Sequence, residues 1–174
     1  LTDRAFLQDS HRARPVGLSF SVVGEADWPL LAQVYADSRA EELAPVAWPQ
    51  AQKSAFLTQQ FEAQRLHYAT HYSGADLSVV RLHGQPIGRV YVYRSASELR
   101  LMDIALLTAF RGRGLGSAML TELLDEADGA GQVVSLHVEH QNPVRRMYDR
   151  LGFEWVEERG AYVFLRRPVH SRIS

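Results

Sequence analysis

Arg111-Gly112-Arg113-Gly114-Leu115-Gly116 is the stretch on which the fold of this chain turns. It follows the apolar residues 104–107, the end of a strand-like run. It precedes Met119, Leu120, Leu123, Leu124 and Ala127, which recur at the spacing of one helical face. Strand, glycine loop and helix start together make a phosphate-binding arrangement. Glycines let the main chain approach an anion closely, successive N–H groups converge on its oxygens, and the helix N-terminus adds about half a positive charge. Arg111 and Arg113 add formal charge and suit bidentate bonding to phosphate. The plain alternative is a tight turn from strand to helix with no ligand.

Working outward, residues 76–107 have a period of two, broken by His83-Gly84 and by a polar turn around Ser95, and so predict three consecutive antiparallel strands. The helix after the loop spans about 115–128 and is ended by Gly129 and Gly131. A strand follows over 132–138, after which Asn142 and Pro143 form an N-cap and first-turn pair for a short helix that stops at Gly152. Two strands, 153–158 and 161–167, join at Gly160. Upstream, 18–23 alternates like a strand. Asp27 then caps a helix carrying Leu30, Leu31, Val34 and Tyr35, Pro45 and Pro49 break the chain within 41–49, and 50–71 forms a second, long helix. The order β-α-α-β-β-β-α-β-α-β-β predicts a mixed α/β layer structure. Residues 1–17 are expected to be a loose arm, 18–168 a single domain and 169–174 a tail.

The 174 residues are 46% hydrophobic and 22% charged, enough for one core but too few for two independent domains. A net charge of -1 supplies no global basic field, so nucleic acid is not the expected partner. Cysteine is absent, which excludes disulfides, thiol nucleophiles and thiolate metal sites and is in keeping with a reducing cytoplasm. No apolar run reaches the ~18 to 20 residues of a membrane span. His67 and His71 stand at i, i+4, a spacing that suits zinc, but no acidic motif accompanies them and no metal is expected.

Three families of phosphate loop compete for residues 111–116. A Walker A loop needs a Lys-Ser/Thr pair, and no lysine is there. A dinucleotide fold would use Gly112, Gly114 and Ser117 with Glu139 as the ribose acid, but its fingerprint follows the first strand, and here four strands come first. The pattern Arg/Gln-x-x-Gly-x-Gly/Ala is met by Arg111, Gly114 and Gly116. A second pattern follows in Asn142, Tyr148 and Gly152-Phe153. By these two motifs, confined to about 104–153, the chain resembles the GNAT superfamily of N-acetyltransferases.

The resemblance implies a mostly antiparallel, mixed sheet of six to seven strands flanked by about four helices. It further implies an acyl-CoA-dependent N-acyltransferase, with acetyl-CoA as co-substrate and a primary amine, small-molecule or protein, attacking directly in a ternary complex. In that family the strand before the loop splays from the strand after the helix, and the pantetheine arm lies in the gap. The matching positions are Ile104 and Leu106 on the strand and Arg111, Gly112, Arg113, Gly114, Leu115, Gly116 and Ser117 in the loop. Leu106 N–H becomes the oxyanion donor, Asn142 a pantetheine contact or a plain helix cap, and Tyr148 the group that meets the thioester sulfur. A phenol of pKa ~10 giving its proton to a thiolate of ~8.5 is uphill by about 2 kcal/mol, which favours hydrogen bonding over full donation. The other reading of Tyr148 is a ring packed beside Met147 and Leu151.

An amine of pKa ~10.4 must also lose a proton at neutral pH. Asp103 interrupts an apolar strand and is either a desolvated base or the partner of an arginine. Glu98 is expected in solvent, and Glu139 with His137 forms a further base or substrate-contact pair. Tyr68 and Tyr72 are expected as a parallel aromatic pair, and Trp48, His67, His71 and Tyr72 as one wall of the acceptor site. A competing class is a non-catalytic acyl-CoA-binding or sensor module. The assembly is expected to be a monomer or homodimer.

Overall fold

In the computed structural model, which describes residues 14–140, 142 and 144–170, the period-two segments become strands β1 Leu18–Val22, β2 Asp76–Leu82, β3 Gln85–Arg94, β4 Glu98–Leu106, β5 Val133–Glu139, β6 Glu154–Arg159 and β7 Tyr162–Arg167. The helices are α1 Trp28–Leu43, α2 Gln50–His71, α3 Leu115–Ala130 and α4 Arg145–Arg150. Among the described residues the strands form one sheet in the order β1-β2-β3-β4-β5-β7-β6. Every neighbouring pair is antiparallel except β4 and β5, which the α3 crossover makes parallel. No described helix is long and apolar enough to cross a membrane.

The sheet's two faces differ in chemistry. Against α3 and α4 lie Val90, Val92, Leu99, Leu101, Leu136, Val138, Val163 and Leu165, which close on Met119, Leu120, Leu123, Leu124 and Ala127 as the main core. Full burial of each such side chain contributes about 1.5–3 kcal/mol. Against α1 and α2 the apolar cluster is small, Leu31, Tyr35, Phe61 and Val79, and the rest of that face carries Arg89, Tyr91, Arg100, Asp103, His137 and Glu139. A polar sheet face beneath two helices leaves room for a cavity.

Four local expectations need correction. Asp27 occupies the N-cap position of α1 but makes no side-chain cap bond. Its carboxylate instead accepts from Gly24 N at 2.8 Å and pairs with Arg81 at 3.4 Å, because the preceding turn offers it a donor first. The proline break begins only after Leu43. Gly129 lies inside α3, and Gly131, with φ of 65°, alone provides the left-handed cap. Arg14 of the expected arm bonds Glu122, a buried residue of α3, at 2.9 Å, so that end of the arm is docked. Residues 1–13 and 171–174 of the arm and tail lie outside the described residues.

Candidate active site

The site is built where the parallel pair β4–β5 comes apart. Pairing runs from Glu98↔Val133 to Leu101↔Leu136 and then stops, while β5 continues along β7 to Glu139↔Tyr162. At the same level β4 has a bulge: Tyr91 faces Asp103 and Val92 faces Leu101, so Met102 is the extra residue. The bulge slips the alternation by one. Leu99 and Leu101, then Ile104 and Leu106, therefore face the α3 core, while Arg100 and Asp103 share the opposite face.

The split exposes main chain. Leu107 N–H donates to Ile87 O across β3 at 2.8 Å. In an antiparallel ladder this direction alternates, so Ile104 and Leu106 present their N–H and C=O groups to the other edge, the one that β5 has left. The Leu106 carbonyl on that edge accepts from Arg111 Nε at 2.9 Å.

The glycine loop lies at the open end of the split. Gly112 and Gly114 have φ of 71° and 75°, and Gly114 is the left-handed N-cap of α3. The first α3 backbone bond runs from Ala118 N to Gly114 O at 3.0 Å, so the preceding N–H groups of the first turn have no helical acceptor. A Cβ placed on Gly112, Gly114 or Gly116 would meet nothing within 4 Å, so the loop presents an open surface. Leu115 turns its side chain into the core. Arg111 and Arg113 do less at this surface than their charge suggests, because each braces the loop by donating to a backbone carbonyl, of Leu106 and Ala109 respectively. Ser117 Oγ lies 3.4 Å from Met147 Sδ. These features together suit an anion.

Tyr148 comes from α4 on the core side and reaches the split. Its ring is 6% exposed and meets Phe153 edge-on at 5.4 Å, rather than lying between Met147 and Leu151 alone. Burial, with the charge of Asp103 nearby, pushes its hydroxyl up to about 12. Asn142 is not the N-cap of α4, which is Val144 with no side-chain cap bond; its Oδ1 accepts from Val144 N at 3.0 Å in the turn before the helix, and it also lines the cavity. Pro143 lies outside the described residues. The cavity, about 730 Å³, joins the split to the polar face under α1 and α2.

The acetyltransferase (GNAT) family model matches residues 35–153, more than half the chain. The chain belongs to the GNAT acetyltransferase family. Solved structures of similar fold include the PaiA N-acetyltransferase of Thermoplasma acidophilum in complex with coenzyme A, at TM-score 0.66 and 15% identity over 87% of this chain and 98% of that one. An acetyltransferase from Thermus thermophilus gives 0.63 and 20% over 90% and 100%. The ribosomal-protein-S18-alanine N-acetyltransferase of Escherichia coli gives 0.60 and 18% over 90% and 96%. At these identities the likeness is one of fold. No curated protein matches the sequence.

Within this GNAT fold every carboxylate expected near the amine is tied to arginine. Asp103 contacts Arg89, which is 2% exposed, donates to Gln64 Oε1 at 2.9 Å and lies among the rings of Tyr35, Phe61 and Tyr91. Of the two expectations for Asp103, the geometry therefore gives the arginine pair. Glu139 accepts from Arg39 at 2.7 Å. Glu98 is not simply solvated: it contacts Ser135 and pairs with Arg100 at 3.2 Å, and these partners hold its carboxyl below the ordinary value despite partial burial. His137 is half-exposed, and partial burial followed by the charges of Arg100 and Arg159 holds its imidazole below its usual value, hence neutral at pH 7.

Of the expected acceptor wall, His67 and Tyr72 line the cavity. His71 instead stacks on His67 at 4.4 Å, and Trp48 packs edge-on to Phe56 at 5.5 Å. Tyr68 and Tyr72 meet at 76°, edge to face, because each also packs against a sheet tyrosine, Tyr91 and Tyr93. Sequence reasoning missed Arg39, Arg89, Arg100, Arg159 and Tyr162 in this cavity. For Arg100 and Asp103 a signal existed: in Leu-Arg-Leu-Met-Asp-Ile-Ala-Leu the alternation slips by one at Met102, the signature of a bulge.

Proposed function

We propose that this GNAT chain transfers an acetyl group from acetyl-CoA to a primary amine, which attacks directly in a ternary complex. The observation that carries this reading is the unpaired edge of β4, where the Ile104 and Leu106 main-chain groups face a split that Tyr148 also reaches. Ile104 and Leu106 hold the pantetheine arm, and residues 111–117 cradle the pyrophosphate with first-turn N–H groups of α3. The co-substrate supplies an activated thioester. Leu106 N–H stabilises the oxygen that gains charge as the amine adds, a contribution of ~3 kcal/mol for a well-placed donor.

Tyr148 serves the departing sulfur. With its hydroxyl near 12, full donation to a thiolate of ~8.5 would cost about 5 kcal/mol, so it acts by hydrogen bonding and the proton is completed from solvent. Asp103, paired with Arg89, orients the incoming ammonium, and the proton leaves through cavity water. The arginine pairing of all three carboxylates also suits the second reading, a silent acyl-CoA-binding module.

The test is amine-dependent release of coenzyme A thiol, run beside the thermal shift given by acetyl-CoA. Saturable release supports transfer. Stabilisation by acetyl-CoA without release across a broad amine panel supports the silent module.

A further inference from the structure

At the closed end of the split, just before the last β4–β5 pair, three nitrogen-bearing side chains gather on one aromatic ring. The Arg159 guanidinium lies 4.6 Å from the Phe164 centroid, the Arg100 guanidinium 5.7 Å, and the His137 ring 5.0 Å. Arg159 Nη1 is 3.3 Å from His137 Nε2. Tyr72 Oη and Ser135 Oγ fix Arg100 from either side, at 3.1 and 3.2 Å. A guanidinium has five N–H groups. Arg100 gives three of its own to Tyr72, Ser135 and Glu98, so donors remain for a ligand. Arg100, His137 and Arg159 all line the cavity.

The charge count points the same way. Of the charged groups lining the cavity, Arg89 pairs with Asp103 and Arg39 with Glu139, which leaves Arg100 and Arg159. Their carboxylate partners, Glu98 and Glu157, are not among the lining residues. The rings of Tyr35, Tyr72 and Phe164 each carry a guanidinium group.

We infer that the acceptor is an amino carboxylate, its carboxylate held by Arg100, Arg159 and His137 while its amine lies toward Asp103, Ile104 and Tyr148. This rests on the acetyl-transfer reading above. Arg100 and Asp103 are same-face neighbours across the bulge, about 7 Å apart along the strand. That separation suits an amine several bonds from the carboxylate. Guanidinium and imidazole donors on a carboxylate form charge-assisted bonds that a neutral amide does not replace.

The experiment compares γ-aminobutyrate, β-alanine and L-lysine with their carboxamides and with cadaverine. Thiol release is measured with acetyl-CoA, and binding by titration calorimetry on the enzyme with free coenzyme A. The carboxylates should exceed the amides and cadaverine at least tenfold in kcat/KM and in affinity. Arg159→Gln, whose side chain is half-exposed and so should leave folding intact, should reduce that ratio toward one, mainly through KM, and Arg100→Gln should do the same. Equal use of amides, a preference for cadaverine, or an unchanged ratio in both variants overturns the inference while leaving acetyl transfer standing. Selective binding of the carboxylates without thiol release overturns acetyl transfer and, with it, the assignment of these ligands as acceptors. Absence of any selective binding overturns the inference whatever the turnover.

Discussion

Gly116→Ala separates an anion cradle from a plain turn, because only the cradle makes the substitution raise stability alone while weakening the response to ligand. Gly116 is the second residue of α3, has no left-handed φ, and a Cβ there meets nothing within 4 Å. Alanine in place of glycine at a helical position stabilises by about 0.5–1 kcal/mol. For a chain of this size that raises the ligand-free Tm by roughly 1–4 °C. The same methyl leans toward the helix N-terminus, over the N–H groups that would meet pyrophosphate. At acetyl-CoA one hundred times its Kd the wild type gains about 2.7 kcal/mol, and a tenfold loss of affinity lowers this to about 1.4 kcal/mol. Differential scanning fluorimetry with and without acetyl-CoA reads both effects on one plate. A variant more stable alone but about half as responsive to ligand supports the cradle. A higher ligand-free Tm with an undiminished acetyl-CoA shift would refute the cradle, and a lower ligand-free Tm would refute the open geometry. Gly114→Ala is the internal contrast, because its φ of 75° makes any side chain cost about 1–2 kcal/mol before ligand is added.

Asp103→Asn leaves Arg89, 2% exposed, without its counter-ion and should cost about 3–5 kcal/mol in urea unfolding. Arg89→Met paired with Asp103→Leu should recover much of that loss, and a double variant as unstable as the sum of the singles would contradict the pairing. Tyr148→Phe should lower kcat roughly 10- to 100-fold with little change in KM for acetyl-CoA, the worth of one hydrogen bond to a developing charge. Because burial holds the Tyr148 hydroxyl up to about 12, the wild-type rate should show no alkaline limb from this group below about pH 10. Partial burial, then the charges of Arg100 and Arg159, hold His137 below its ordinary value against the opposing pull of Glu157, so the folded state binds this proton less well than the unfolded state does. Its contribution is complete above about pH 6.5 and is lost as pH falls below that value, so His137→Gln should narrow the drop in denaturation midpoint between about pH 7 and 5.

Local periodicity by itself determined most of the elements. Residues 50–71 recur as one helix because their apolar positions fit a helical face, and 76–107 become three strands because they alternate and turn at His83-Gly84 and Ser95. The glycine loop and the Asn142, Tyr148, Gly152-Phe153 spacing sufficed to place the chain in its family, because main-chain approach to an anion constrains residue type at fixed positions. What the sequence could not determine was pairing across distance. Whether Asp103 stood free or met an arginine depended on β3 bringing Arg89 beside it, from another strand. The gathering of Arg100, His137 and Arg159 on Phe164 needed β4, β5, β6 and β7 to lie side by side in an order no local pattern records. Main-chain conformation follows from near neighbours in the chain. The charge state and partners of a side chain follow from neighbours in space, and those exist only once the sheet has closed around them.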